Sequence, residues 1–413
     1  MGPVLSCPFA TVGTIATGNT AECGTALTVT RSSAATYVDG NGTLQTASAN
    51  NLRVVSTGAL FEPTVTNYAL WAEKWNSGAS AVSPWTASNV TLGDGDSWLG
   101  HSTATRITAT DGSGRSISQS YPQGGNAFGW GSVWAKATSG TQSVSVCLRA
   151  VGSSTTPTCT GTRADSGTVT TVTEVSGCCA RTTVGTTWVQ IGLSPGMMTG
   201  ASTYVLAIAP CTITDGPSAM TGTSCGTADF AGAQASISTS FFGTFIDTAG
   251  TAATREADVV TIANPFDVTE PAAWCVGTTR KAYFPTWDDN SSALWTFLSS
   301  GTDAAANSWR LFSRNGMLQL SLYGSAGTER LGQWTHGYAL DSTHTFRAGT
   351  FNGTYSLFSD SLPATFNMSG TGTGTIPNQN ATLRIGSGTT TNSPQTGYLK
   401  NVKLWNVACS KAR

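Results

Sequence analysis

The sequence is short of charge. Only 10% of its 413 residues are Asp, Glu, Lys or Arg, and the formal net charge is −1. Ordinary soluble domains carry roughly 25%. A near-neutral chain has no overall electrostatic grip on nucleic acid or on an anionic membrane. Histidine is scarcer still: His101, His336 and His344 are the only three. None stands near a cysteine, which argues against a zinc cluster. No apolar run approaches the roughly 18 residues of a membrane span, so membrane insertion is not expected. Met1-Gly-Pro-Val-Leu-Ser6 is a poor myristoylation site because of Pro3. Leu5-Ser-Cys7 lacks the basic and apolar segments that precede a lipoprotein or secretory cleavage site.

Catalytic signatures are missing too. The chain has no Gly-x-Ser-x-Gly elbow, no His-Glu-x-x-His pair and no Gly-rich loop ending in Lys. Gly370-Thr-Gly-Thr-Gly374 lacks the Lys a phosphate would need and reads as a turn. No enzymatic activity and no organic cofactor are expected.

What the chain has instead is Thr, Ser, Gly and aromatic residues. Gly at turns with Val, Ile and Trp between them favours short strands over helices, so the expected class is all-β. Residues 1–60 read as an irregular leader with one hairpin. There Asp39-Gly40 and Asn41-Gly42 mark the turn between Thr36-Tyr-Val38 and Leu44. Residues 61–247 read as one sandwich, with strands expected at Ala104–Thr110, Arg115–Tyr121, Gly131–Ala137, Gln142–Ala150, Gly167–Val175, Thr187–Leu193 and Ser202–Ala209. Thr103–Ala109 and Ser132–Lys136 alternate two faces, as half-buried strands do. Residues 248–413 read as a second sandwich. Its closing strands are Phe346–Phe351, Thr354–Phe358, Ala381–Gly386 and Gly397–Trp405, with Asn352-Gly353 as a two-residue turn.

Ten cysteines, an even number, point to disulfides. Spacing suggests Cys7–Cys23 and Cys211–Cys225, and Cys275–Cys409 would tie the first and last strands of the second sandwich. Cys147, Cys159, Cys178 and Cys179 allow three pairings, and the sequence leaves them open. Such bonds imply an oxidising destination.

Several stretches resemble bacteriophage virion proteins. Thr30-Arg-Ser-Ser-Ala-Ala-Thr-Tyr-Val-Asp39, Gly58-Ala-Leu-Phe-Glu-Pro63 and Thr66-Asn67 look like signatures at the front of such proteins. Phe230-Ala-Gly-Ala-Gln234 and Ala253-Thr-Arg-Glu-Ala-Asp258 resemble the join between a jelly-roll module and a laminin-G-like sandwich. Trp85, Trp134 and Trp188 fall where carbohydrate-binding jelly rolls place core or near-core aromatics. The resemblance implies two tandem β-sandwiches, a jelly roll followed by a laminin-G-like domain. It also implies a virion surface protein, such as a head spike, decoration or fibre, with capsid or tail proteins as partners. A homo-oligomer, a trimer among the options, and adhesion to cell-surface glycans follow from the same likeness.

Sugar sites pair exposed aromatics with polar side chains. Trp98 with His101, Trp130 with Asn126, and Trp287 with Asp288, Asp289 and Asn290 have that composition and are the glycan-binding candidates. Asp94 with Asp96, and Asp288 with Asp289, would suit a hard cation such as calcium. Their simpler expected role is turn hydrogen bonding.

Overall fold

The computed structural model of the chain describes residues 3–110, 114–165, 167–237, 243–263, 265, 273–282, 295–300, 308–314, 317–323, 329–333, 343–351, 354–359, 362–363, 382–387, 397–407, 409 and 412. Among them there is no α-helix, and every regular element is a strand. The chain divides into two compact units. One comprises residues 1–34, 46–64 and 256–413; the other comprises 35–45 and 65–255.

The second unit is built on two unusually long strands, Ser116–Ala137 and Val189–Ala209. Each fuses two strands that the sequence pattern separates. They pair antiparallel at both ends, Ile117 opposite Ile208 and Ala135 opposite Val189, with register shifts between Pro122 and Gly131. One half of the pair continues through Gln142–Val151, Gly177–Val184 and Thr170–Glu174. The other continues through Thr227–Ile237, Ser102–Ala109 and Val90–Trp98. Two sheets thus share strands at a bend, as a jelly roll does. Glycine is required where they close on each other. A Cβ on Gly129 would sit 2.8 Å from both Leu148 and Tyr204, and one on Gly131 would sit 2.8 Å from Leu206.

The core between these sheets holds Ile107, Val133, Val146, Ile191, Leu206 and Phe230, all fully buried, with Trp75 stacked on Trp85 at 4.8 Å. Trp134 and Trp188 pack against a separate buried group that includes Trp98 and Phe245. The hairpin strands Ala35–Val38 and Leu44–Ala47 form as the Asp-Gly-Asn-Gly turn predicts. The Asp39 carboxylate organises that turn by accepting from the amides of Asn41 and Thr43. The Thr43 bond, foremost, holds its pKa below the usual carboxylate range.

The first unit is a sandwich of two sheets. One has nine strands, running in order through Gly13–Ala16, Asn51–Val55, Gly58–Phe61, Gly397–Trp405, Ala273–Ala282, His344–Phe351, Thr354–Ser359 and Leu362–Pro363, with Leu5–Cys7 beside Gly397–Trp405. The other has seven, from Glu329–Gln333 through Met317–Tyr323, Ser308–Arg314, Trp295–Ser300, Leu383–Ile385 and Val259–Ile262 to Thr28–Thr30. Aromatic pairs bridge the layers: Trp274 meets Trp309 at 5.1 Å, and Phe297 stacks on Phe346 at 5.4 Å. Phe351 lies opposite Thr354, while the Asn352-Gly353 turn itself, like Gly370–Gly374, lies outside the described residues.

Residues 1–60 are therefore not a free leader. Leu5–Cys7 pairs with Val402–Leu404, and Thr28–Thr30 pairs with Val259–Thr261. The segment buries Leu5, Ile15, Val29, Leu52 and Val54 by completing sheets whose other strands come from the chain's far end.

All ten cysteines are bonded: Cys7–Cys23, Cys147–Cys179, Cys159–Cys178, Cys211–Cys225 and Cys275–Cys409. The pairing of the open four follows from strand geometry. Adjacent residues on a strand point to opposite faces. Cys178 joins the main core and Cys179 the cluster on the other side of the sheet, where Cys147 is its direct cross-strand partner.

Candidate functional site

The expected tryptophan platforms at Trp98 and Trp130 are corrected by burial. Trp98 is 0% exposed, with its ring edge-on to Phe245 at 4.8 Å, and Trp130 is 2% exposed. A ring in a core offers no face to a sugar. These two follow the ordinary fate of large aromatics in a low-charge sandwich, which has few other residues of their volume to fill the space between layers. Asn126 lies in the strand Ser116–Ala137, and its side chain falls outside the described residues. Trp287, Asp288, Asp289 and Asn290 lie wholly outside them.

Asp94 and Asp96 sit not in a loop but in the strand Val90–Trp98, at a bulge between Asp94 and Ser97. Their oxygens face cations. Asp94 meets Lys74 Nζ at 2.8 Å, and Asp96 meets Lys136 Nζ at 2.5 Å and Arg106 at 3.2 Å. The hydrogen bonds from Lys74 and Lys136, as the leading causes, hold both carboxyls below the usual range. Ammonium and guanidinium groups thus serve both carboxylates as counter-charges. Among the described residues no three His, Cys, Asp or Glu side chains converge as a metal site.

The sequence reading missed Trp71. It is 41% exposed, and it is the one exposed tryptophan among the described residues. Its backbone is held at φ 55°, a left-handed conformation uncommon for a bulky residue. The surrounding structure enforces that conformation. The Trp71 amide donates to the Ala249 carbonyl at 3.0 Å, the Ala72 amide donates to the Thr248 carbonyl, and Ala233 N donates to Ala72 O at 2.8 Å. The amide of Leu70 donates to Gln119 Oε1 at 3.0 Å, and the Trp85 indole donates to Leu70 O at 2.7 Å.

Asn67 anchors the start of this stretch. Buried, it donates to the carbonyls of Ala233 and Ile246 and accepts from the amides of Ala69 and Ala235, so its amide group is saturated.

This pairing runs segments 70–73 and 247–250 side by side, which sets Glu73 near Asp247. Trp71, Asp247, Ala249 and Gly250 face solvent, whereas Ala72 between them is core. His101 Nδ1 lies 2.9 Å from Glu73 Oε1. It is delivered there by a tight turn in which Leu99 and Gly100 have φ 47° and 69°. Burial, reinforced by the Asp247 charge and opposed by His101, pushes the Glu73 carboxyl above its ordinary value. His101, one of the expected site residues, is exposed and meets Glu73, which follows Trp71 by two residues. An exposed indole can stack on the apolar face of a pyranose, and carboxyl and imidazole groups such as those of Glu73, Asp247 and His101 can bond its hydroxyl rim.

No protein-family model matches the chain, and no curated protein matches it. Solved structures do. The receptor-binding domain of a botulinum neurotoxin, C/D mosaic serotype, superposes with a TM-score of 0.30 at 13% identity, over 37% of this chain and 38% of that one. The LG4-5 domains of the mouse laminin alpha1 chain give a TM-score of 0.27 at 11% identity, over 68% of this chain and 86% of theirs. This chain thus spans 38% of the length of the neurotoxin chain.

Proposed function

We propose that this protein is a non-enzymatic adhesion module that binds neutral glycans on Trp71, with Glu73, Asp247 and His101 as hydroxyl partners. The observation that carries the reading is Trp71 itself. It is an exposed indole on a backbone fixed by five hydrogen bonds from and to its neighbours, in a chain that buries most of its described tryptophans. A rigid platform loses little entropy when a sugar stacks on it.

The setting we propose is the surface of a bacteriophage virion, with host-surface or environmental glycans as ligands and capsid or tail proteins as partners. The signature stretches around Arg31, Glu62, Asn67, Gln234 and Asp258 support it. So do five disulfides, which suit a protein that works outside a reducing cytoplasm. Repeated copies, as a homo-oligomer such as a trimer, would turn weak single contacts into firm retention.

The test is a glycan array probed with the wild-type protein and with Trp71→Ala, alongside a viscosity assay on any polymer bound. The proposal expects retention on a restricted set of glycans, its loss in the variant, and unchanged viscosity. A silent array, or binding unaffected by the substitution, would leave a purely structural decoration protein as the better account.

A further inference from the structure

Two of the five disulfides belong to one apolar cluster on the outer face of a sheet. Cys147 and Cys179 are direct cross-strand partners, and both are fully buried although they point away from the main core. The segment from Cys211 to Cys225 packs over them. It folds back as a small hairpin, Thr212–Ile213 paired with Gly222–Thr223, and its Ile213 and Met220 join Cys147, Cys179, Ala207 and Ala209 in the cluster. Thr214, Asp215, Ser218, Ala219 and Thr221 of the same hairpin face solvent. Ser145 and Arg181 share the outward face with Cys147 and Cys179 by strand alternation, and they hold this lid down. Ser145 Oγ donates to Cys211 O at 2.7 Å and accepts from Ile213 N at 3.1 Å, and Arg181 Nη1 donates to Ile213 O at 3.1 Å.

The lid is closed under strain. Met220 and Ser224 have φ 53° and 51°, left-handed values uncommon for residues with side chains. Such residues need surroundings that hold them, and the Cys211–Cys225 bond is the covalent part of those surroundings. That bond also combines reagent access with a cation. Cys7–Cys23, Cys147–Cys179 and Cys275–Cys409 are buried at both ends. Cys225 is partly exposed, and Arg115 Nη1 lies 3.1 Å from its sulfur while donating to Gly222 O at 3.0 Å. Cys159, the other partly exposed cysteine, has its sulfur 4.0 Å from the Pro157 carbonyl rather than beside a cation. A neighbouring guanidinium stabilises a thiolate, and a stabler leaving thiolate speeds disulfide exchange.

We propose that Cys211–Cys225 is a thiol-sensitive clasp: a dithiol reductant opens it first, the hairpin lifts off the sheet, and only then does Cys147–Cys179 become reducible. The exchange balances in two steps. A reagent thiolate attacks the Cys225 sulfur, because Cys211 is fully buried, and the Cys211 sulfur departs as a thiolate and takes a proton from water. The reagent's second thiol then loses its proton and attacks the mixed disulfide. This forms the reagent's own cyclic disulfide and releases Cys225 as a thiolate beside Arg115. Two electrons pass from the dithiol to the protein. Lifting the hairpin uncovers Ala207, Ala209 and the Cys147–Cys179 pair, so reduction converts a closed face into an apolar one. The device does not rest on the glycan reading of Trp71.

The test exposes the folded full chain to limiting dithiothreitol at mildly alkaline pH, quenches aliquots with iodoacetamide, and reads each cysteine by peptide mass spectrometry. The expected order is Cys211 and Cys225 first, then Cys147 and Cys179 after a lag, with Cys7, Cys23, Cys275 and Cys409 still bonded. In Cys211→Ser/Cys225→Ser, which lacks the clasp, Cys147–Cys179 should be reduced about tenfold or more faster and without the lag. After partial reduction, Cys225 should alkylate half-maximally below about pH 8.5, and Arg115→Gln should return it to that ordinary thiol value. Circular dichroism checks that each variant keeps its strands. If the double Ser variant does not fold, the wild-type time course decides alone. Simultaneous labelling of all four cysteines, earlier labelling of Cys147 and Cys179, or an unaltered Cys147–Cys179 rate in the folded double variant would overturn the proposal. Alkylation of wild-type Cys225 at the ordinary thiol pH would overturn the role given to Arg115.

Discussion

Arg31 donates through Nη1 to Asp258 Oδ1 at 2.5 Å, with both side chains fully buried and a sequence separation of 227. The second Asp258 oxygen takes Arg53, and Arg53 also meets Glu62. The result is a neutral, four-residue buried network. Glu62 N donates to Asp258, and Arg31 is further satisfied by the carbonyls of Ser33 and Ser48. Burial alone would lower the pKa of Arg53, but Asp258 and Glu62 outweigh it and hold the guanidinium charged. Replacing one member leaves uncompensated charge in the interior, which typically costs about 3–5 kcal/mol. Asp258→Asn, which leaves two guanidinium groups facing one carboxylate, should lower stability by about that much in urea unfolding. A change under ~1 kcal/mol would mean the network is dispensable.

The tryptophans should separate cleanly. Trp98→Ala empties a core position and should cost about 3–5 kcal/mol. Trp71→Ala removes a solvent-facing ring and should stay within about 1 kcal/mol of wild type. Parallel thermal unfolding of the two variants checks the contrast, and similar losses would place Trp71 in the core.

Loop length should order the disulfides. Cys275–Cys409 closes 134 residues and Cys211–Cys225 closes 14. Chain entropy then predicts losses of about 5 and about 3 kcal/mol for the corresponding double Ser variants. Denaturant titration of both gives the ranking, and the reverse order would show that local packing, not loop closure, dominates.

The acidic pair beside Trp71 should be visible in pH dependence. The folded state raises the Glu73 pKa, through burial first and then the charge of Asp247. Folding therefore favours the protonated form. That stability is fully present below the unfolded value of 4.5 and is lost as pH rises through the raised folded value. Glu73→Gln should accordingly melt higher than wild type at neutral pH, with the gap closing as pH falls below 4.5. A gap that persists in acid, or a lower melting point at neutral pH, would contradict this environment for Glu73.

Much of the fold could be read from the chain because local rules suffice for it. The Asp39 hairpin is encoded by its turn residues, and three disulfides follow from spacing or from the order of strands. The signature residues Arg31, Glu62, Asn67 and Asp258 were recognisable as a pattern. The structure shows why such polar residues matter: each is buried and spends its hydrogen bonds on fixed partners. Non-local facts were not readable. Pairing of Leu5–Cys7 with Val402–Leu404 depends on register across the whole chain, so residues 1–60 looked like a leader. The long strands Ser116–Ala137 and Val189–Ala209 are interrupted by Gly and Pro at their bend, which in sequence resembles a turn. Trp98 and Trp71 both have polar neighbours in sequence, and nothing local says that one enters a core and the other faces water. The one available clue to Trp71 was its place after the Asn67 anchor, in a stretch with no clear strand periodicity.

The most direct test of the Trp71 platform is fluorine NMR of protein carrying 5-fluorotryptophan at its thirteen Trp positions. The Trp71 signal is assigned by its disappearance in Trp71→Phe, and the protein is then titrated with the best oligosaccharide from the array. The account predicts a saturable shift of the Trp71 signal, with those of buried Trp75, Trp98 and Trp274 unmoved. Saturation that shifts other tryptophans and leaves Trp71 unchanged would contradict it.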